Sequence, residues 1–247
     1  MKHHLYISPH LDDVVFSCGG CILQQSARGD RVTVLTVFSG DPPEGSLSPF
    51  AQELHDRWGI GREGIAMRRA EDRMACARLD ATAVHLEFPE AIYRRNPEQG
   101  FLYASEEAIF GPVHVVEQRA IPSISSAIQK HMHESLTVYA PLGLGGHVDH
   151  RFLRMVVDQM KVKVRYYPDF PYAARGMELP EDLEMPEAEP VRFPLDEEEV
   201  QGWINAICEY QTQLSTFWDS YETLDGEVKS YVEEKQGLRL YLPDLPV

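Results

Sequence analysis

The sequence predicts an α/β fold: a doubly wound, mostly parallel sheet with helices on both faces and a C-terminal α/β elaboration. Three observations predict it. Short β-rich runs alternate with longer helical patterns along most of the chain, the order that builds a parallel sheet through βαβ crossovers. The run Arg31-Val32-Thr33-Val34-Leu35-Thr36-Val37-Phe38 is nearly continuous in apolar and β-branched residues, as a strand buried on both faces requires. The two groups of chemically suggestive residues also fall directly after strands, where open α/β sheets bind their ligands.

Each element has its own signal. The first strand is Leu5-Tyr6-Ile7-Ser8, followed by a helix from Val14 to Arg28. After the strand 31–38 comes a polar loop from Asp41 to Ile60, then a helix over Gly61–Leu79. The third strand is Ala83-Val84-His85-Leu86-Glu87-Phe88, and a helix is expected over His114–His133. The fourth, Leu136-Thr137-Val138-Tyr139-Ala140, runs into a glycine loop, Pro141–Gly146. A helix over Val148–Met160 leads to the fifth strand, Lys163–Tyr167. The stretch Glu178–Glu199 is rich in Pro and Glu and reads as a solvated connection. Beyond it come helices over Asp196–Ser215 and Tyr221–Lys235, and a closing strand, Leu238–Leu242. Right-handed crossovers favour the strand order 3-2-1-4-5, a Rossmann-like arrangement with strands 1 and 4 adjacent at the switch point.

The chain has 247 residues, enough for one α/β domain spanning 1–247, with a core of about 1–170 and the elaboration at about 171–247. Hydrophobic residues make up 43% and charged residues 25%, an ordinary balance for a soluble globular protein. The net charge of −16 and the lack of a basic run argue against nucleic-acid and membrane partners. No apolar stretch approaches a membrane span, and the N-terminus lacks a long apolar core and turns acidic early, unlike a signal peptide, so the expected location is cytoplasmic. The sequence does not reveal an oligomeric state.

Cys18-Gly19-Gly20-Cys21 has redox spacing, but a redox pair belongs at the helix start, which a carboxylate pair occupies here. These cysteines read better as small buried residues. His3, His4, His55, His85, His114, His131 and His133 read as surface or core residues.

The chemistry concentrates in His10-Leu11-Asp12-Asp13 after strand 1 and His147-Val148-Asp149-His150 after strand 4. His10 and Asp13 span a strand-to-helix turn and can both reach one ion; His147 and His150 share a helix face as an i, i+3 pair. A hydrolytic zinc site needs three such ligands and an open position for water. The two motifs offer more groups than that, leaving Asp12 and one histidine for catalysis. Asp12 is placed to take a proton from attacking water. The remaining histidine can stabilise an oxyanion or protonate a departing amine. Asp149 is expected to hold that histidine's other nitrogen.

Ser8-Pro9-His10-Leu11-Asp12-Asp13 resembles the Pro/Ala-His-Pro-Asp-Asp signature of the PIG-L or LmbE-like family of zinc-dependent N-acetylglucosamine deacetylases, and Cys18-Gly19-Gly20 matches its continuation. His147-Val148-Asp149-His150 resembles that family's second motif, His-Pro-Asp-His. Arg68-Arg69-Ala70-Glu71 is similar to its Arg-x-x-Glu helix and Tyr210-Gln211-Thr212-Gln213 to its Tyr-x-x-Gln segment.

The resemblance implies Zn2+ on His10, Asp13 and His150, with Asp12 as base. It makes His147 the oxyanion stabiliser or acid, supported by Asp149. The implied reaction removes an acetyl group from an N-acetylglucosamine-type conjugate, a small molecule, by base-assisted attack of zinc-bound water. Arg68 and Glu90 fall where members contact substrate, although Arg68 can equally pair with Asp72 at i+4.

Three positions depart from the pattern. Leu11 stands for the usual proline, Val14 for a common glutamate, and Gly145 where some members carry a tyrosine. The segment Tyr166–Tyr172 is the candidate source of a replacement aromatic ring, or else packs the core. Two other readings remain: a non-haem Fe(II) oxygenase with two histidines and one carboxylate, or a non-catalytic protein whose four ligands close the metal site.

Overall fold

The computed structural model describes residues 1–61, 63–98, 100–133 and 136–241. In chain order the elements are β1 (His3–Ser8), α1 (Asp13–Ala27), β2 (Arg31–Thr36), α2 (Pro49–Arg57), α3 (Gly64–Arg78) and β3 (Thr82–His85). A small hairpin follows, β4 (Arg95–Asn96) and β5 (Gly100–Phe101), then α4 (Glu106–Ile109), α5 (Ile121–Gln129), β6 (Leu136–Pro141), α6 (Val148–Gln159) and β7 (Val164–Tyr167). The chain continues through β8 (Pro190–Phe193), α7 (Glu197–Ile207), α8 (Gln211–Phe217), α9 (Tyr221–Lys235) and β9 (Leu238–Tyr241).

The seven-stranded sheet has the order β3-β2-β1-β6-β7-β9-β8. Its first five strands are parallel and in the expected order, so β1 lies between β2 and β6. The pleat then decides which side chains meet. Leu5 and Ile7 bury on one face with Val138 and Ala140, against α5 and α6. Tyr6 buries on the other with Tyr139, the rings stacked 4.0 Å apart. That second face is covered by α1, α3, α7 and α9.

Cys18 and Cys21 lie fully buried in α1 with free thiols, as core residues rather than a redox pair. Gly19 and Gly20 admit the C-terminal part of the chain. A Cβ at Gly19 would sit 2.4 Å from the Trp203 ring, and one at Gly20 would sit 2.5 Å from Leu195. Trp203 in turn donates its indole N–H to the Val15 carbonyl, 2.8 Å away.

Several expectations need correcting. The loop 41–60 contains α2, capped by the Ser48 side chain with Pro49 at the first helical position, a strong start signal in a polar setting. The segment 178–199 is not all connection, because Val191 pairs with Leu240 to make β8 an edge strand. The helix expected over 114–133 is a 3-10 turn, Val115–Ala120, followed by α5, which starts with Pro122 in its first turn. The one expected over 196–215 divides into α7 and α8 around Tyr210, whose hydroxyl is held by Asp72 at 2.7 Å. Arg62 and Leu242, expected in a helix and the closing strand, lie outside the described residues. Among the described residues no helix is long and apolar enough to cross a membrane.

Candidate active site

The site lies at the carboxyl ends of β1 and β6. Beyond β1, Ser8 shapes the turn: its hydroxyl donates to the His10 carbonyl at 2.7 Å and accepts from the Val14 N–H at 3.2 Å. Asp13 opens α1, and its Oδ2 accepts the His10 backbone N–H at 2.8 Å. Beyond β6, the loop turns through Gly143, Gly145 and Gly146, all at positive φ. His147 then caps α6.

Four predicted groups converge here. Asp13 Oδ2 lies 3.2 Å from His10 Nδ1 and 3.3 Å from His150 Nε2. One ring nitrogen each of His10, His147 and His150 also falls within 4.8 Å of the others. The second nitrogen of each histidine beside Asp13 is taken by another carboxylate. His10 Nε2 is 2.9 Å from Asp149 Oδ2, and His150 Nδ1 is 2.7 Å from Asp169 Oδ1. Such outer carboxylates fix ring orientation and tautomer.

Asp149 was expected to support His147, but its carboxylate reaches His10 instead. Its backbone N–H donates to His147 Nδ1 at 3.2 Å, because the capping ring turns back over the helix start.

The charges follow from this packing. Burial opposes a proton on His10, but hydrogen bonds to Asp13 and Asp149 outweigh it and raise its pKa well above normal. Burial likewise opposes the charged ring of His150, yet Asp13 and Asp169 push its pKa up to about 10. Asp13 is held well below the carboxylate range despite burial, by His150 and His10. Burial and the neighbouring Asp13 charge raise Asp12 well above that range, with Arg68 opposing. Burial and the nearby His10 hold His147 well below the imidazole range, so its ring is neutral. Two imidazoles sharing protons with one carboxylate mark a place that favours concentrated positive charge. The donor set of two nitrogens and one oxygen fits a divalent metal such as zinc.

Arg68 and Glu90 join the same site. Asp72, the i+4 partner Arg68 could have had, instead bonds His85 and Tyr210, each at 2.7 Å. Arg68 reaches Glu90 at 2.6 Å and Asp12 at 3.9 Å. Three positions further along α3, Glu71 accepts both the backbone N–H and the hydroxyl of Thr212, fixing the start of α8.

A cavity of about 880 Å³, its open mouth included, contains all eight residues singled out in the sequence. The sequence reading missed its walls: Phe50, Leu54 and Trp58 around α2, Ile109 and Phe110 at α4, and Phe217 at α8. It also missed Asp169, which accepts the Gly143 and Leu144 N–H groups at 2.7 and 2.8 Å and so ties the glycine loop to His150. From the aromatic segment 166–172, Tyr172 lines the cavity, its ring filling the space a side chain at Gly145 would need.

The sequence matches the PIG-L family, described as GlcNAc-PI de-N-acetylase, over residues 5–161. It is 31% identical to a 2'-N-acetylparomamine deacetylase of Niallia circulans over 241 residues, covering 89% of this chain and 84% of the relative. It is 32% identical to the protein of the same name in Streptomyces fradiae, over 69% of this chain and 58% of the relative. Among solved structures, the zinc-inhibited form of teicoplanin deacetylase superposes with a TM-score of 0.82 at 25% identity, covering 98% of this chain and 97% of that one. A40926 pseudoaglycone deacetylase gives a TM-score of 0.79 at 28% identity, covering 98% and 96%.

Proposed function

The chain belongs to the PIG-L family, and from that premise we propose that it is a zinc-dependent N-deacetylase acting on a small amino-sugar conjugate. The curated relatives are named as 2'-N-acetylparomamine deacetylases, and similar solved structures as deacetylases of teicoplanin and of the antimicrobial A40926 pseudoaglycone, which supports hydrolysis of an acetamide on an amino sugar. The observation that carries the metal reading is the convergence of His10 Nδ1 and His150 Nε2 on Asp13 Oδ2, each ring held from behind by a carboxylate.

In this reading His10, Asp13 and His150 hold the metal. A bound divalent metal supplies a Lewis acid that acidifies water and polarises the acetyl carbonyl. Asp12, buried next to Asp13 and facing Arg68, takes the proton of the attacking water and passes it to the departing amine nitrogen. The C–O bond forms first and leaves the charge on the former carbonyl oxygen; the C–N bond then breaks as the C=O bond re-forms and the amine nitrogen takes the proton, giving acetate and a free amine. His147 stays neutral and accepts at Nδ1, so its proton sits on Nε2, free to donate to the developing oxyanion. This favours the stabiliser role for His147 over the acid role.

The Arg68–Glu90 pair and the aromatic walls bind the sugar. Trp58, with Arg68 packed 5.1 Å over its ring, and Phe110 and Phe217 line the cavity with aromatic surface, while Gln213 and Thr216 offer partners for sugar hydroxyls. Because α8 supplies part of this wall, the elaboration works with the core as one domain. A soluble, cytoplasmic enzyme is the matching expectation.

The test is amine release from a panel of N-acetylated amino-sugar conjugates, with metal content by elemental analysis. Zinc-dependent release supports the reading. A protein that binds zinc but releases no amine across sugar and simple amide panels contradicts it.

A further inference from the structure

The metal centre has a support two layers behind it that neither motif contains. Arg94 follows the 3-10 turn Ala91–Tyr93, and its Nη2 lies 2.5 Å from Asp149 Oδ1 and 2.8 Å from Glu117 Oε2. Three aromatic rings surround its guanidinium, with centroids 5.0 Å (Phe38), 5.5 Å (Tyr103) and 5.6 Å (Phe152) from Cζ. Asp149 is fully buried, and its other oxygen accepts the Ala91 N–H at 2.9 Å beside the bond to His10 Nε2. Glu117 is held in turn by the Tyr103 hydroxyl at 3.1 Å. The line His10–Asp149–Arg94–Glu117–Tyr103 is therefore continuous.

We propose that Arg94 is a positioning residue for the metal centre, locking the carboxylate that orients the ligand His10. This rests on the reading of His10, Asp13 and His150 as metal ligands. A fully buried carboxylate with no cation behind it is free to turn, and the turn releases the His10 ring. Arginine suits the task because its Nη2 meets both carboxylates while the planar guanidinium packs among the three rings, whereas a lysine ammonium is a compact, strongly hydrated point charge with no plane to stack. Asp149 is fully buried and Arg94 is 11% exposed, so the pair attracts more strongly than it would at the surface.

The test measures zinc affinity by competition with a chromophoric chelator, and the visible spectrum of the cobalt-loaded protein, for wild type, Arg94→Met and Arg94→Lys. The expected result is a loss of zinc affinity of roughly 10–100-fold for Arg94→Met, with a smaller loss for Arg94→Lys. The cobalt spectrum should change as the His10 ligand reorients. Folded variants with wild-type affinity and spectrum overturn the proposal, even if their urea midpoints fall, since that pattern marks a purely structural arginine. Should Arg94→Met not fold, Arg94→Lys decides alone, by the same affinity and spectral criteria. A wild-type protein that binds neither metal overturns the reading of the centre itself, a distinguishable failure.

Discussion

His10 Nε2 sits 2.9 Å from Asp149 Oδ2, so the first residue of one motif is held by the third residue of the other, 139 positions away. The two motifs are thus interlocked as well as adjacent. The contact exists because β1 and β6 are parallel neighbours, His3 opposite Leu136 and Tyr6 opposite Tyr139, and their carboxyl ends open onto the same crevice.

Replacing Asp149 by Asn keeps the shape of that contact and removes its charge. Zinc affinity is expected to fall by roughly 10–100-fold, because His10 loses its anionic anchor and Arg94 its partner. Chelator competition reads this directly. Affinity unchanged within twofold would mean that the carboxylate does not orient the ligand.

The metal-free protein should lose stability as pH rises. His150 has its folded pKa raised to about 10, so its contribution is complete below the unfolded value of about 6.5 and fades as pH climbs through the folded one. Zinc requires the deprotonated ring, so its stabilisation should grow over the same window. Urea midpoints at about pH 6 and about pH 9 should move in opposite directions for the metal-free and zinc-loaded protein relative to each other. Parallel curves would contradict the assignment of His150 to the centre.

Much of this arrangement is legible in the sequence, and for a stated reason. His10, Asp12, Asp13, His147 and His150 follow strands whose neighbour relation the crossover rule predicts. Asp169 also follows a parallel strand, but one aspartate between prolines and aromatics carries no spacing to mark it out. Helix α2 had signals of its own, Ser48-Pro49 at its start and a buried face of Ala51, Leu54 and His55, but they are short and set among the Pro, Gly, Glu and Asp of a segment that reads as loop. Arg94 could not be found at all, since its meaning depends on Glu117, Asp149 and three rings drawn from separate elements.

Arg68→Met removes a cation buried between Glu90 and Asp12. Leaving Glu90 unpaired in the interior is expected to cost about 3–5 kcal/mol, read as a lower urea midpoint. Arg68 favours the ionised form of Asp12, so its loss should push the Asp12 carboxyl higher and move the acidic limb of the kcat/KM profile to higher pH. A limb that stays in place would separate Arg68 from the base.

Gly145→Ala tests the packing of Tyr172. Gly145 has a φ of +80°, and a Cβ there would come 2.6 Å from Tyr172 Cγ. The strain is expected to cost about 1–3 kcal/mol and to displace the ring from the cavity wall, raising KM while zinc content stays at the wild-type level. Wild-type stability and KM would show that Tyr172 is free to give way.

The most direct test of the central claim is zinc content and amine release measured side by side for wild type and Asp12→Asn. Asp12 lies next to Asp13, a ligand in the proposed centre, and faces Arg68, outside the set that converges on Asp13 Oδ2. The predicted result is a variant that retains zinc and loses roughly 10²–10⁴-fold in turnover. A variant that keeps near-wild-type turnover, or that loses its zinc, would contradict the division of labour between base and ligands.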